Sequence, residues 1–160
     1  MMIQEEILEY HYGEIANQLN QMIPVEWIKI AMLAIDTGLS SAVYFYFYTI
    51  DGKAHYSSAI PDEYNVSQEI YNNFVSELRN INAEFREEFV KASIEPWESM
   101  TFILNADWSF SINYSYDTNI EMGKFERRVI WAYEELGIYP EDEFEKEILE
   151  EYLEEKEKNK

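Results

Sequence analysis

The chain has 160 residues, 47% of them hydrophobic and 16% aromatic, which suffices for one packed core and is too apolar for a disordered chain. Asp and Glu number 32 against 12 Lys and Arg, a formal net charge of −20 that repels phosphate backbones and anionic lipid and argues against direct nucleic-acid or membrane binding. There is no cysteine, which excludes disulfides and thiolate metal sites. The same charge attracts basic proteins, although acidity also serves solubility alone. The opening residues MMIQEEILEY place acids where a signal peptide needs a basic stretch, and no apolar run approaches the roughly 20 residues of a membrane span. A cytoplasmic protein is expected.

Ile3, Ile7, Ile15 and Leu19 recur at helical spacing and predict a first helix over 3–22, ended by Pro24. Residues 25–35 are apolar on both alternating faces apart from Glu26 and Lys29, as in a central strand. A turn at Asp36-Thr37-Gly38 leads to a strand over 41–49, where Val43, Phe45 and Phe47 point opposite to Tyr44, Tyr46 and Tyr48. Asp51-Gly52 then turns into a short third strand near 54–57. Pro61 closes this section, and Ser67 caps a long helix with the stripe Ile70, Phe74, Leu78, Ile81, Phe85 and Phe89. After Pro96 come strands near 99–105 and 108–116. In the second, Trp108, Phe110, Ile112, Tyr114 and Tyr116 alternate with polar residues, so one face should be buried. Thr118-x-x-Glu121 fits a capping box for a helix over 119–136, Gly137 suits its C-terminal stop, and Pro140 opens a fourth helix with Glu141 and Asp142 in its first turn. The expected fold is α+β, in the order α-β-β-β-α-β-β-α-α: one antiparallel sheet of about five strands packed by four helices. A single domain spans 1–160, with an acidic helix from about 140.

The chemistry-bearing residues form no catalytic constellation, and no enzyme activity or cofactor is expected. His11 lies on the first helix with Glu14 three residues on, which could be half of a metal site, so a small metal-binding protein or enzyme using His11 and nearby carboxylates is the competing reading. A histidine at the edge of an apolar stripe is otherwise simply packed. His55 sits beside Tyr56 in the short strand and borders solvent. Glu87-Glu88 and Glu134-Glu135 diverge by about 100° on helices and read as solvated faces. HExxH, phosphate-loop, GxGxxG and GxSxG motifs do not occur. Two features suggest binding to a protein. The row Tyr44, Tyr46 and Tyr48 offers interface area, unless a second layer covers it. Residues 141–160 hold ten acidic and four basic side chains, among them Glu141, Asp142 and Glu145, which either face a basic partner or stay solvated.

Residues 124–140, KFERRVIWAYEELGIYP, resemble the C-terminal signature of the YezG-like immunity proteins through Glu126-Arg127-Arg128, Trp131, Tyr133-Glu134, Leu136-Gly137-Ile138 and Pro140. Glu14-Ile15-Ala16, Ile23-Pro24, Trp27, Tyr44–Tyr48 and Glu95-Pro96-Trp97 extend the resemblance over about residues 5–142. The turn at Asn105–Trp108 departs from the family by lacking its glycine and by carrying Trp108 near a position usually held by a smaller residue. The stretch between Asp117 and Glu126 is also short. The family comprises antitoxins of LXG-type polymorphic toxins, among them a nuclease antitoxin. The resemblance therefore implies a cognate toxin as partner, with a basic nuclease domain whose active face is occluded. Tyr44, Tyr46, Tyr48, Glu141, Asp142 and Glu145 are the candidate contacts. Glu126, Arg127, Trp131, Tyr133, Gly137 and Pro140 are expected to maintain the fold, with Arg127 and Glu134 tying their helix to the sheet.

Overall fold

A computed structural model describes residues 2–116 and 122–159. The fold is α+β, and the chain divides into two compact units, Met1–Asp117 and Thr118–Lys160. The first unit contains α1 (Glu5–Met22), β1 (Lys29–Asp36), β2 (Ser41–Tyr48), β3 (Ala54–Tyr56), α2 (Ile60–Tyr64), α3 (Gln68–Lys91), β4 (Ser99–Asn105) and β5 (Phe110–Ser115). The strands make one open antiparallel sheet in the order β3-β2-β1-β4-β5.

β1 lies at the centre because its side chains are apolar on both faces. Ile30, Met32 and Ala34 join Phe45, Phe47, Met100, Phe102 and Leu104 in one core with Ile15, Leu19, Leu78 and Phe85 from α1 and α3. On its opposite side Ala31, Leu33 and Ile35 are buried as well. Register follows from this: Met32 stands opposite Phe45 on one side and Phe102 on the other. Phe85 is the hub of the aromatic packing, with ring centroids 5.6 Å from both His11 and Tyr12, 5.4 Å from Phe89 and 6.3 Å from Trp97.

The elements differ from expectation in several places. β1 starts at Lys29, because Val25 and Trp27 pack as a connector and the Trp27 indole donates to Asn20 Oδ1 at 2.9 Å. Pro61 opens the short helix α2 instead of merely ending the sheet section. Ser67 caps α3 by accepting from the Ile70 amide at 3.4 Å, yet Ile70 itself is exposed. Tyr71 takes the buried place and donates its hydroxyl to Ser57 Oγ.

The apolar side of 108–116 is only partly buried: Trp108, Phe110 and Tyr116 are exposed. β5 is an edge strand, and Trp108 belongs to the turn rather than to the strand, with φ 68°. That left-handed backbone suits glycine, so Trp108 holds a conformation sparsely populated by aromatic residues. The Asp107 carboxylate holds the turn by accepting from the Ser109 hydroxyl and amide, and these bonds lower its pKa.

The second unit contains α4 (Lys124–Leu136) and α5 (Glu143–Lys158). Thr118 and Glu121, the expected cap, lie outside the described residues; within them, Gly123 occupies the N-cap position of α4. α4 stops at Gly137, φ 67°, where the Gly137 amide donates to the Tyr133 carbonyl and the Ile138 amide to the Ala132 carbonyl. The last helix begins three residues later than expected. Asp142 is its cap, accepting from the Glu145 amide at 3.0 Å, and Pro140 precedes it in the connection.

Phe125 stacks on Phe144, Arg128 pairs with Glu145, and Glu134 meets Tyr152 and Lys156, so the two helices run side by side in the same sense. Such a pair needs a connection that returns the length of α4. Thirteen helical residues rise about 20 Å, and the six residues 137–142, extended, span about the same. Pro140 suits this extended return.

Replacing Phe85 by Ala should cost about 3–5 kcal/mol by leaving a cavity between α1, α3 and the sheet. Ile70→Ala, one stripe position of the same helix, should cost under about 1 kcal/mol. Denaturant unfolding of the two variants checks the contrast.

Candidate functional site

The tyrosine row is not an open platform. Tyr46 is 5% exposed and stacks on Tyr56 with centroids 5.0 Å apart, while Tyr44 and Tyr48 are half-buried. The Lys29 ammonium sits 5.2 Å from the Tyr48 ring centroid, and burial raises the Tyr48 pKa. Only the outer parts of Tyr44 and Tyr48 are open to solvent.

The acidic residues divide by task. Asp142 caps α5, and Glu145 accepts from the Arg128 guanidinium at 2.9 Å. Arg128 is 3% exposed, and its guanidinium also lies 4.8 Å over the Phe125 ring. Arg128 shares a helix face with the buried Trp131 and Ala132, three and four residues on. That spacing was the available signal that Arg128, rather than Arg127, lies on the buried stripe. Glu134 accepts from the Tyr152 hydroxyl at 3.2 Å and from Lys156 Nζ at 3.1 Å, which joins α4 to α5. Tyr139 packs edge-on against Tyr133 and donates to Glu150 at 3.3 Å, fixing the return segment. Glu141 is exposed, and Glu143 meets Lys146 at 3.4 Å.

Beside these contacts α4 and α5 leave an open groove of about 400 Å³. Met122, Ile130, Phe144, Ile148 and Tyr152 line it, together with the carboxylates of Glu126, Glu147, Glu151 and Glu155. Sequence reasoning passed over this groove because it exists only once α5 lies parallel to α4.

The histidines have other surroundings. His11 is buried between the rings of Tyr10 and Phe85, with Nε2 3.8 Å from Glu88. Glu14, its expected companion, accepts from the Tyr10 hydroxyl at 2.7 Å instead. Glu88 also meets Lys91 at 3.6 Å, so it is not a purely solvated helix residue. His55 stacks on Phe47, bonds Thr49 Oγ1 at 2.9 Å and lies 3.4 Å from Glu63. Among the described residues, no three His, Asp or Glu side chains converge as a metal site.

The family model described as YezG-like, immunity protein YezG-like, matches residues 8–150. The chain belongs to the YezG-like immunity proteins. It is 40% identical over 146 residues to Immunity protein YezG of Bacillus spizizenii, covering 89% of this chain and 90% of that protein. It is 38% identical over 145 residues to Immunity protein YezG of Bacillus subtilis, covering 89% and 96%. Identity to the type VII secretion system protein EsaG of Staphylococcus aureus is 36% over 160 residues, covering 94% and 96%. Membership of the YezG-like immunity proteins implies a cognate toxin as partner. It also gives context to the signature: Gly137 ends α4, Pro140 lies in the return, Trp131 is buried, Tyr133 packs on Tyr139, Arg127 is half-buried and Glu126 lines the groove.

Two substitutions test the architecture of α4 and α5. Gly137→Ala forces a Cβ into left-handed backbone and should cost about 1 kcal/mol. A double-mutant cycle on Arg128→Met and Glu145→Gln should yield a coupling on the order of 1 kcal/mol or more, read from denaturant midpoints.

Proposed function

We propose that this YezG-like protein neutralises a cognate LXG-type toxin with nuclease activity by covering its phosphate-binding face. It does so in the cytosol of the producing cell, as a stoichiometric inhibitor without catalysis, and the whole chain acts as one functional unit. The observation that carries this reading is the net charge of −20 on a member of an immunity family. A nuclease must present a basic face to hold phosphates. An acidic inhibitor meets such a face quickly and competes with nucleic acid for it. Among the described residues, no helix is long and apolar enough to cross a membrane.

The partner contacts we propose are the open parts of Tyr44 and Tyr48 and the acidic surface that begins at Glu141. Tyr46, Asp142 and Glu145 are engaged internally as described and contribute by holding that surface in shape. The nuclease assignment draws on the resemblance to a family that includes a nuclease antitoxin and on charge complementarity.

Co-expression with the toxin domain encoded beside this chain tests the reading. Growth should be rescued, and the two proteins should co-purify as a stable complex. The association rate should fall about tenfold or more between low salt and roughly 0.5 M, because the attraction is screened. The absence of both rescue and complex would refute the immunity reading. A rate indifferent to salt would refute the electrostatic part.

A further inference from the structure

The groove between α4 and α5 pairs an apolar floor with unneutralised acidic walls. Phe144, Ile148 and Tyr152 follow one another at i+4 along α5, and Ile130 faces them from α4. Phe144 is 63% exposed even though its ring stacks on Phe125, which leaves a large apolar side chain at the groove's open end. Glu147, Glu151 and Glu155 form a second row at i+4 spacing, about 12 Å long. Glu126 stands on the α4 side.

The nearby cations are engaged elsewhere: Arg128 with Glu145, Lys146 with Glu143, and Lys156 with Glu134. Among the described residues, no basic side chain lines the groove or pairs with its four carboxylates. An apolar trough walled by like charges is an unfavourable surface to leave in water, and an occupant with opposite charge and its own apolar stripe relieves both costs.

We infer that this groove seats a basic amphipathic helix of the toxin. Apolar side chains at i and i+4 of that helix fill the floor over Ile130, Ile148 and Tyr152, and flanking Lys or Arg residues meet Glu126, Glu147, Glu151 and Glu155. The charge complementarity selects this occupant. A second copy of this chain brings the same acidic rows, and an anionic lipid surface is repelled by them. The inference rests on the toxin-binding reading above and names the surface through which it works.

The test uses the full chain and the toxin domain encoded beside it, with affinity measured by titration calorimetry at fixed salt. One variant is Glu147→Gln with Glu151→Gln and Glu155→Gln; another is Phe144→Ala. The control, Glu5→Gln with Glu6→Gln and Glu9→Gln, removes the same charge from exposed positions of α1. Thermal melts verify that all variants remain folded.

Each groove variant should weaken binding about tenfold or more, while the control changes it by less than about threefold. Equal losses in groove and control variants would assign the effect to net charge and overturn the groove. Unchanged affinity in the groove variants, with the parent chain still bound to the toxin, would overturn the groove and leave the immunity reading standing. Failure of the parent chain to bind the toxin domain would overturn both.

Discussion

β1 has no polar face, and the placement of the other strands follows from that. A strand whose odd and even side chains are both apolar belongs inside a sheet, with neighbours on each edge. β2 and β4 take those edges, and Met32 comes to lie between Phe45 and Phe102. The remaining two strands become the rims: β3, only three residues long, and β5, whose aromatic side is incompletely covered. Short or polar rim strands are what an open sheet tolerates, because they offer little unpaired backbone to another chain. α1 and α3 then close the core face through Phe85, and the Arg86 guanidinium, donating to the Trp97 carbonyl at 2.8 Å, anchors the segment that enters β4.

Scarcity of positive charge shapes the rest. Arg79 donates to Ser41 Oγ, Arg86 to a backbone carbonyl, Lys29 covers an aromatic ring, and Arg128 and Lys156 join α5 to α4. These basic side chains connect elements, while most of the acids stay at the surface. Buried pairs such as Arg128 with Glu145 require desolvation of both partners, so their value lies in specifying one arrangement. Here that arrangement is the parallel course of α5, which an ordinary short helical turn would not produce.

Much of this was legible in the residues. Alternation in β2 and the long stripe of α3 located the core, and the family signature pointed to the immunity fold. Local spacing failed where a competing interaction took over. Pro140 is a good first residue for a helix, but Asp142 with Glu145 three residues on is a better cap, and the helix starts there. Ile70 fits the stripe by periodicity, yet Tyr71 wins the buried position through its contact with Ser57. The tyrosine row was visible as a row, but nothing in its spacing told whether a layer lay over it. Groove and return segment depend on the relative direction of two helices, a property that no local pattern encodes.

In the proposed mechanism, charge and groove divide the work of recognition. Net charge accelerates encounter with any basic protein and therefore discriminates poorly among toxins. Discrimination requires a surface on which the wrong partner leaves apolar area or a buried charge unmatched. The α4–α5 groove has that character, because an occupant must supply basic groups in register with Glu147, Glu151 and Glu155 and apolar ones in register with Phe144, Ile148 and Tyr152. A partner with charge but no stripe would associate quickly and leave quickly, since residence time depends on the desolvated apolar contacts. Trp108, exposed and held at positive φ in the β4–β5 turn, lies edge-on to Trp27 with ring centroids 6.2 Å apart. That aromatic contact ties the hairpin tip to the connector between α1 and β1 and offsets part of the cost of the left-handed backbone.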